Sequence, residues 1–112
     1  MVLMEEGCQI RIFIKESDQK EGIPLYEWLV REAMKQGIAG ATVLRGVEGF
    51  GAAHQINKAG MFEFPTDLPV IIEVVDMPEK IEKFISLAEQ VITEGAITSE
   101  KVHIRLYRNK SS

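Results

Sequence analysis

The residues best suited to ligand chemistry lie in Arg45-Gly46-Val47-Glu48-Gly49-Phe50-Gly51, where three glycines fall within six residues. Glycine permits positive φ and close backbone approach, and bare backbone N–H groups in such a run can cradle an anion. The same glycines also suit the plainer task of turning a strand into a long loop. A second segment, Gly95-Ala96-Ile97-Thr98-Ser99-Glu100-Lys101, places small and hydroxylic residues between a helix end and a strand, with a lysine at its exit. Taken alone, it reads as a helix cap followed by a solvated connector.

Catalytic and metal-binding patterns are thin. The histidines, His54 in a loop and His103 on a strand, and the lone Cys8 do not make a zinc signature, so no metal site is expected. Cys8 opens a strand on its apolar side and reads as a core residue. Tyr26 and Trp28 read as helix packing. His54 with Glu48 is the one titratable pair an enzyme reading could turn to. Nothing assembles a nucleophile, a base and an oxyanion site, so no catalytic residue is expected.

The elements that must position these segments follow from periodicity. Cys8, Ile10, Ile12 and Ile14 alternate with Gln9, Arg11, Phe13 and Lys15, which predicts a first strand. Glu16 to Gly22 is its loop. Pro24 suits the first turn of a helix on which Leu25, Leu29 and Ala33 stack and Glu27 can pair with Arg31. Gly37 ends that helix. Ala41 to Val47 predicts a second strand, residues 52–66 a long loop, and Leu68 to Val75 a third strand. Asp76 and Pro78 open a second helix whose apolar stripe is Ile81, Phe84, Ile85, Ala88, Val91 and Ile92, stopped by Gly95. Val102, Ile104 and Leu106 predict the last strand. The order βαββαβ implies an α+β, ferredoxin-like sandwich, with a four-stranded antiparallel sheet carrying both helices on one face. The whole chain, 1–112, reads as a single domain with its core at about 8–107.

The formal charge of −4 offers no basic face, which argues against nucleic acid as a partner. A single cysteine suits a reducing compartment. The apolar run Met1 to Met4 is too short for a signal-peptide core and no segment approaches a membrane span, so a cytoplasmic location without membrane insertion is expected.

Two helices cover one face of such a sheet, and the other should be polar at alternate positions. The third strand breaks that rule, because Val70, Ile72 and Val74 point one way and Ile71 and Val75 the other. Phe13, with Leu44 or Val43, adds to the uncovered side. Either loop 52–66 folds over that face, or copies of the chain cover it for one another, the reading preferred here.

This pattern resembles the nitrogen regulatory protein PII superfamily. The resemblance rests on the element order, Gly37-Ile38-Ala39-Gly40, Ala41-Thr42-Val43 and Gly49-Phe50-Gly51. Arg45 to Gly51, Asp67 to Asp76 and Glu94-Gly95-Ala96-Ile97-Thr98 more closely resemble a small uncharacterised prokaryotic branch of PII-like proteins. The resemblance implies a homotrimer with sheets facing inward and adenine-nucleotide sites in the clefts between subunits. It places Thr42 near the adenine, with Arg45, Gly49, Phe50 and Gly51 at the base of the long loop. Gly95, Ile97, Thr98 and Lys101 fall on the second loop, the lysine approaching phosphates.

The departures shape the expected ligand. The stretch from Gly40 to Gly49 is a residue longer than its PII counterpart, read as a bulge at Arg45-Gly46. The PII glutamine that serves 2-oxoglutarate with magnesium is replaced within Ala52-Ala53, and Thr98 and Glu100 stand where PII has glycines. Loop 52–66 has no tyrosine for uridylylation. Fewer cations near the terminal phosphates imply AMP or ADP over ATP, no 2-oxoglutarate response and no nucleotidylation. No cofactor is required. The expected role is signalling: nucleotide orders loop 52–66, and His54, Met61, Phe62 and Phe64 present it to a protein or transporter partner. The alternatives are a small oligomeric enzyme of this fold, or a structural or metal-tolerance trimer that binds no nucleotide.

Overall fold

The computed structural model describes residues 5–52, 56–58 and 67–110. Four long strands, β1 (Glu6–Lys15), β4 (Gly40–Arg45), β7 (Pro69–Asp76) and β8 (Ala96–His103), form one sheet in the order β4-β7-β1-β8, antiparallel throughout. The helices are α1 (Leu25–Lys35) and α2 (Pro78–Val91). The expected α+β sandwich of βαββαβ order is therefore present. Two-residue strands decorate it: β2 (Gln19–Lys20) with β3 (Ile23–Pro24), and β5 (Glu48–Gly49) with β6 (Asn57–Lys58).

Strand alternation divides the sheet cleanly. Ile10, Ile12 and Ile14 of β1 and Val70, Ile72 and Val74 of β7 are buried against Leu25, Leu29 and Ala33 of α1 and Ile81, Phe84 and Ala88 of α2. Both helices therefore lie on this face, and their buried residues belong to the apolar stripes expected of them. Glu27 and Arg31 pair at 2.9 Å on the outer side of α1, as their one-turn spacing implies.

Several boundaries differ from the sequence reading. Pro24 ends β3 and precedes α1 instead of sitting in its first turn. The supposed loop from Glu16 to Gly22 contains a small hairpin, whose central residues Glu21 and Gly22 both take positive φ (53° and 83°), as a type I′ turn requires. Gly37, at φ 72°, closes α1 in a Schellman arrangement: its N–H bonds to the Met34 carbonyl and that of Ile38 to the Ala33 carbonyl, both at 3.0 Å.

Of the two places open to Asp76, cap or near-cap of α2, it takes the second: the cap is Met77, which has no side-chain cap bond. Asp76 ends β7 at 1 % exposure, accepting the N–H of Met77 at 2.6 Å and that of Ala39 at 2.8 Å. It thereby ties the turn after α1 to the start of α2.

Two corrections bear on function. The second strand stops at Arg45, in unbroken register with β7, so no bulge interrupts that ladder; the chain leaves it at Gly46, whose N–H still bonds to the Pro69 carbonyl at 2.8 Å. The segment read as a connector, 96–101, is most of β8, while Ile104 and Leu106 lie beyond the last strand. The polar residues Thr98, Ser99, Glu100 and Lys101 mislead because β8 is an edge strand, where alternation with solvent on several sides weakens the apolar signal. The loop expected over 52–66 is likewise interrupted, since Asn57–Lys58 pairs with Glu48–Gly49.

Candidate functional site

At one end of the sheet the turn out of β4 meets the turn into β8. Gly46, Glu48, Gly49, Phe50 and Gly51 from the first and Glu94, Gly95 and Ala96 from the second line a cleft of about 360 Å³. Its floor is made by Phe13 and Lys15 at the end of β1 and by Pro69 and Ile71 at the start of β7. A volume of this order suits a small molecule.

Close packing at this end requires two of the glycines. A Cβ on Gly46 would lie 2.8 Å from the Pro69 ring, and one on Gly95 would run into the carbonyl oxygen of Phe13. Gly51 is different: a Cβ there would meet nothing within 4 Å, so packing with the described residues does not demand a glycine. Ser17 steadies the neighbouring loop by bonding Asp67 through its N–H (2.9 Å) and hydroxyl (2.5 Å).

The electrostatics are balanced within the chain. Lys15 pairs with Glu94 at 3.4 Å across the cleft, and Arg45, on its flank, pairs with Glu16. Both Lys15 and Arg45 are thus engaged by carboxylates before any ligand arrives, a poor arrangement for gripping several phosphates. The apolar part is more pronounced: Phe13, Pro69 and Ile71 form the floor, and Phe50 is 67 % exposed at the mouth.

The expected site residues divide into two groups. Gly49, Phe50, Gly51 and Gly95 meet in the cleft, with Arg45 beside it. Thr42 and Thr98 lie at mid-sheet on the uncovered face, in one row that reads Thr42, Glu73, Arg11, Thr98 across the four strands. Ile97 lies opposite Ile12 and packs against the core. Lys101 pairs with Cys8; it stands six positions beyond Gly95 along the extended chain, about 20 Å at strand rise. One chain does not bring Lys101 to the cleft. His54, Met61, Phe62 and Phe64 fall outside the described residues.

Sequence reasoning did not single out Lys15, Pro69 or Glu94 as site residues. Pro69 had a usable signal: antiparallel pairing of the second and third strands sets the end of one beside the start of the other, which places Pro69 against Gly46. Glu94 adjoins Gly95 in sequence, but its pairing with Lys15 depends on the packing of α2.

The uncovered face carries a second feature. Arg11 bonds Glu73 through Nε at 2.9 Å and Glu100 through Nη1 at 2.8 Å, and these bonds, Glu100 first, raise its already high pKa. The parallel row two residues along is apolar: Leu44, Ile71, Phe13 and Ala96. Leu44, not Val43, is the β4 residue on this face, because it pairs with Ile71 while Val43 pairs with core residue Ile72.

A larger hollow, about 610 Å³, lies where the turn after α1 faces Leu106 to Asn109. It gathers none of the glycine-rich segments, and the smaller cleft is the stronger candidate.

The chain belongs to the DUF190 family, described as "Uncharacterized ACR", whose model matches residues 7–104. A UPF0166 protein of Aquifex aeolicus is 37 % identical over 97 residues, covering 85 % of this chain and 90 % of the relative. Among solved structures, the chain is similar to CPII, a nitrogen regulatory PII-like protein from Thiomonas intermedia K12 bound to ADP, AMP and bicarbonate. The TM-score is 0.65 at 11 % identity, over 93 % of this chain and 98 % of that one. It is also similar to the divalent ion tolerance protein CutA1 from Ehrlichia chaffeensis, with a TM-score of 0.62 at 8 % identity, over 97 % and 90 % of the two chains. The PII-like resemblance read from the sequence thus agrees with the fold.

Proposed function

We propose that this chain is a PII-like regulatory protein that assembles as a homotrimer through its uncovered sheet face and binds AMP or ADP in clefts at the subunit boundaries. The observation that carries this reading is the convergence of Gly46 to Gly51 with Gly95 in an apolar-floored cleft that opens onto the same uncovered face. The likeness to CPII, bound to ADP and AMP, supports the ligand class. Pairing of Lys15 and Arg45 with carboxylates favours fewer phosphates, because each further phosphate would have to displace an existing ion pair. Thr42, Thr98 and Lys101, which do not line the cleft in one chain, would serve the site from a neighbouring copy, whereas Ile97 packs against its own core. The stretch beyond Phe50 would answer the ligand and be read by a protein or transporter partner.

A second reading, a structural or metal-tolerance trimer without nucleotide, is favoured by one observation: the fold is nearly as close to CutA1 as to CPII. Fold alone does not choose between them. Calorimetry with AMP, ADP and ATP, beside the solution mass of the protein, does. The expected result is a mass of three chains and AMP or ADP bound more tightly than ATP. ATP bound more tightly than both would refute the preference, and an intact trimer with no nucleotide affinity would support the second reading.

A further inference from the structure

Residues 101–112 carry four cations, Lys101, Arg105, Arg108 and Lys110, and no carboxylate, opposite in sign to the chain's net charge of −4. All 17 acidic residues lie before them. In the body of the chain cations are matched: Arg11, Lys15, Arg31, Lys35, Arg45 and Lys80 each pair with a carboxylate. Among the described residues the four tail cations form no ion pair, not even with Glu5 and Glu6, which adjoin the tail at Ile104 and His103.

The tail has a fixed course across the sheet end away from the glycine-rich cleft. The Ile104 N–H bonds to the Glu5 carbonyl at 2.8 Å, and a Cβ on Gly7 would lie 2.6 Å from its side chain. Farther on, a Cβ on Gly40 would lie 3.3 Å from the Tyr107 hydroxyl. Glycine inside a strand marks a place where another segment approaches closely, and the tail is that segment for both. So held, Leu106, Tyr107, Arg108 and Asn109 face Ile38 and Ala39 across the hollow of about 610 Å³, with Leu106 60 % exposed. Asp76, the buried carboxylate at this end, is engaged by the N–H groups of Ala39 and Met77.

We infer that the tail and the hollow form a docking surface for an acidic protein segment that carries an apolar side chain. Arg108, flanked in sequence by Arg105 and Lys110, meets its carboxylates, and the apolar side chain packs on Leu106 and Ile38. Opposite charge selects such a partner and speeds its arrival. Other anionic surfaces fit less well. A lipid bilayer is flat and is held by larger basic clusters, and a nucleic acid would meet repulsion from the acidic body. The surface lies at the opposite end of the sheet from the cleft, so the inference does not depend on the nucleotide reading.

The test titrates the full chain with a labelled octapeptide of glutamates and two leucines, beside a peptide of equal charge with serine for leucine. The leucine peptide should bind about threefold or more tightly than the serine peptide, because Leu106 and Ile38 add apolar contact. Arg105→Glu combined with Arg108→Glu should weaken binding about tenfold or more, and added salt should weaken it in the natural chain. Both arginines are exposed, so the double variant should keep its fold by circular dichroism. The peptide comparison needs no variant and decides the matter should it misfold. Failure of the leucine peptide to bind, or equal binding of the two peptides, overturns the docking surface. So does a folded double variant that binds as the natural chain does. Tighter binding to phosphatidylglycerol vesicles than to the leucine peptide would assign the tail to a membrane and also overturn it. AMP and ADP affinity and solution mass should be unchanged in the double variant. A loss of either would place the arginines in the nucleotide site or between copies, and refute the inference.

Discussion

The two faces of the sheet are built from the same strands but differ in what surrounds them. On the helix side, Ile10, Ile12, Ile72 and Val74 are at 0 % exposure, locked under α1 and α2. On the other, Leu44 is 45 % exposed beside Phe13 and Ile71, with the Arg11 ion pairs in the adjoining row. The difference shows that apolar content does not by itself mark the interior. A strand apolar on both faces carries two surfaces suited to burial, and among the described residues only the helix side is covered.

Substitutions that treat the faces separately can break this contrast. Phe84→Ala, on the covered side, should lower chain stability most, by about 3 to 5 kcal/mol in a urea titration, because a fully buried ring leaves a cavity. Asp76→Ala comes next. It strands the part-buried N–H groups of Ala39 and Met77, and a loss of about 1 to 3 kcal/mol is expected from donors left unpaired. If either change were as mild as a surface substitution, the division of the sheet would be wrong.

Changes on the open face should tell a different story. Ile71→Ser is expected to reduce the stability of the separated chain by about 1 kcal/mol or less, while lowering the solution mass at working concentration. Sedimentation beside urea unfolding would check this, and an unchanged mass would count against the face as a seam. Arg11→Gln should have a smaller effect on the separated chain, one that fades as salt is added, since its partners are half-exposed.

The smallest effect concerns Cys8 at the edge of the core. Burial, and then the nearby Glu82 charge, raise its thiol pKa. The folded protein favours the protonated thiol, so alkylation by iodoacetamide should lag behind that of a free cysteine at equal pH. The lag should close only as pH rises past the elevated value. Alkylation as fast as that of free cysteine would show that Cys8 is not shielded as described.

Much of the fold was legible because its signals are local. The alternation Ile10, Ile12, Ile14, the i, i+4 spacing of Leu25, Leu29 and Ala33, and Gly37 at a helix end each follow from backbone period or from the conformations a residue can adopt. β8 was misplaced by several residues because an edge strand has weaker constraints on its side chains. The small hairpin at Glu21-Gly22 was missed because two-residue strands carry no periodicity.

The sequence by itself determined the element order, the apolar stripes and the presence of glycines where the chain must turn. Only the tertiary structure decided that Gly95 lies against the Phe13 carbonyl, that Lys15 faces Glu94, and that Lys101 stands far from both glycine-rich turns. The physical reason is sequence separation. Periodicity reports which side of an element is apolar, but contacts between residues dozens of positions apart depend on strand order and register, which arise when the whole sheet pairs.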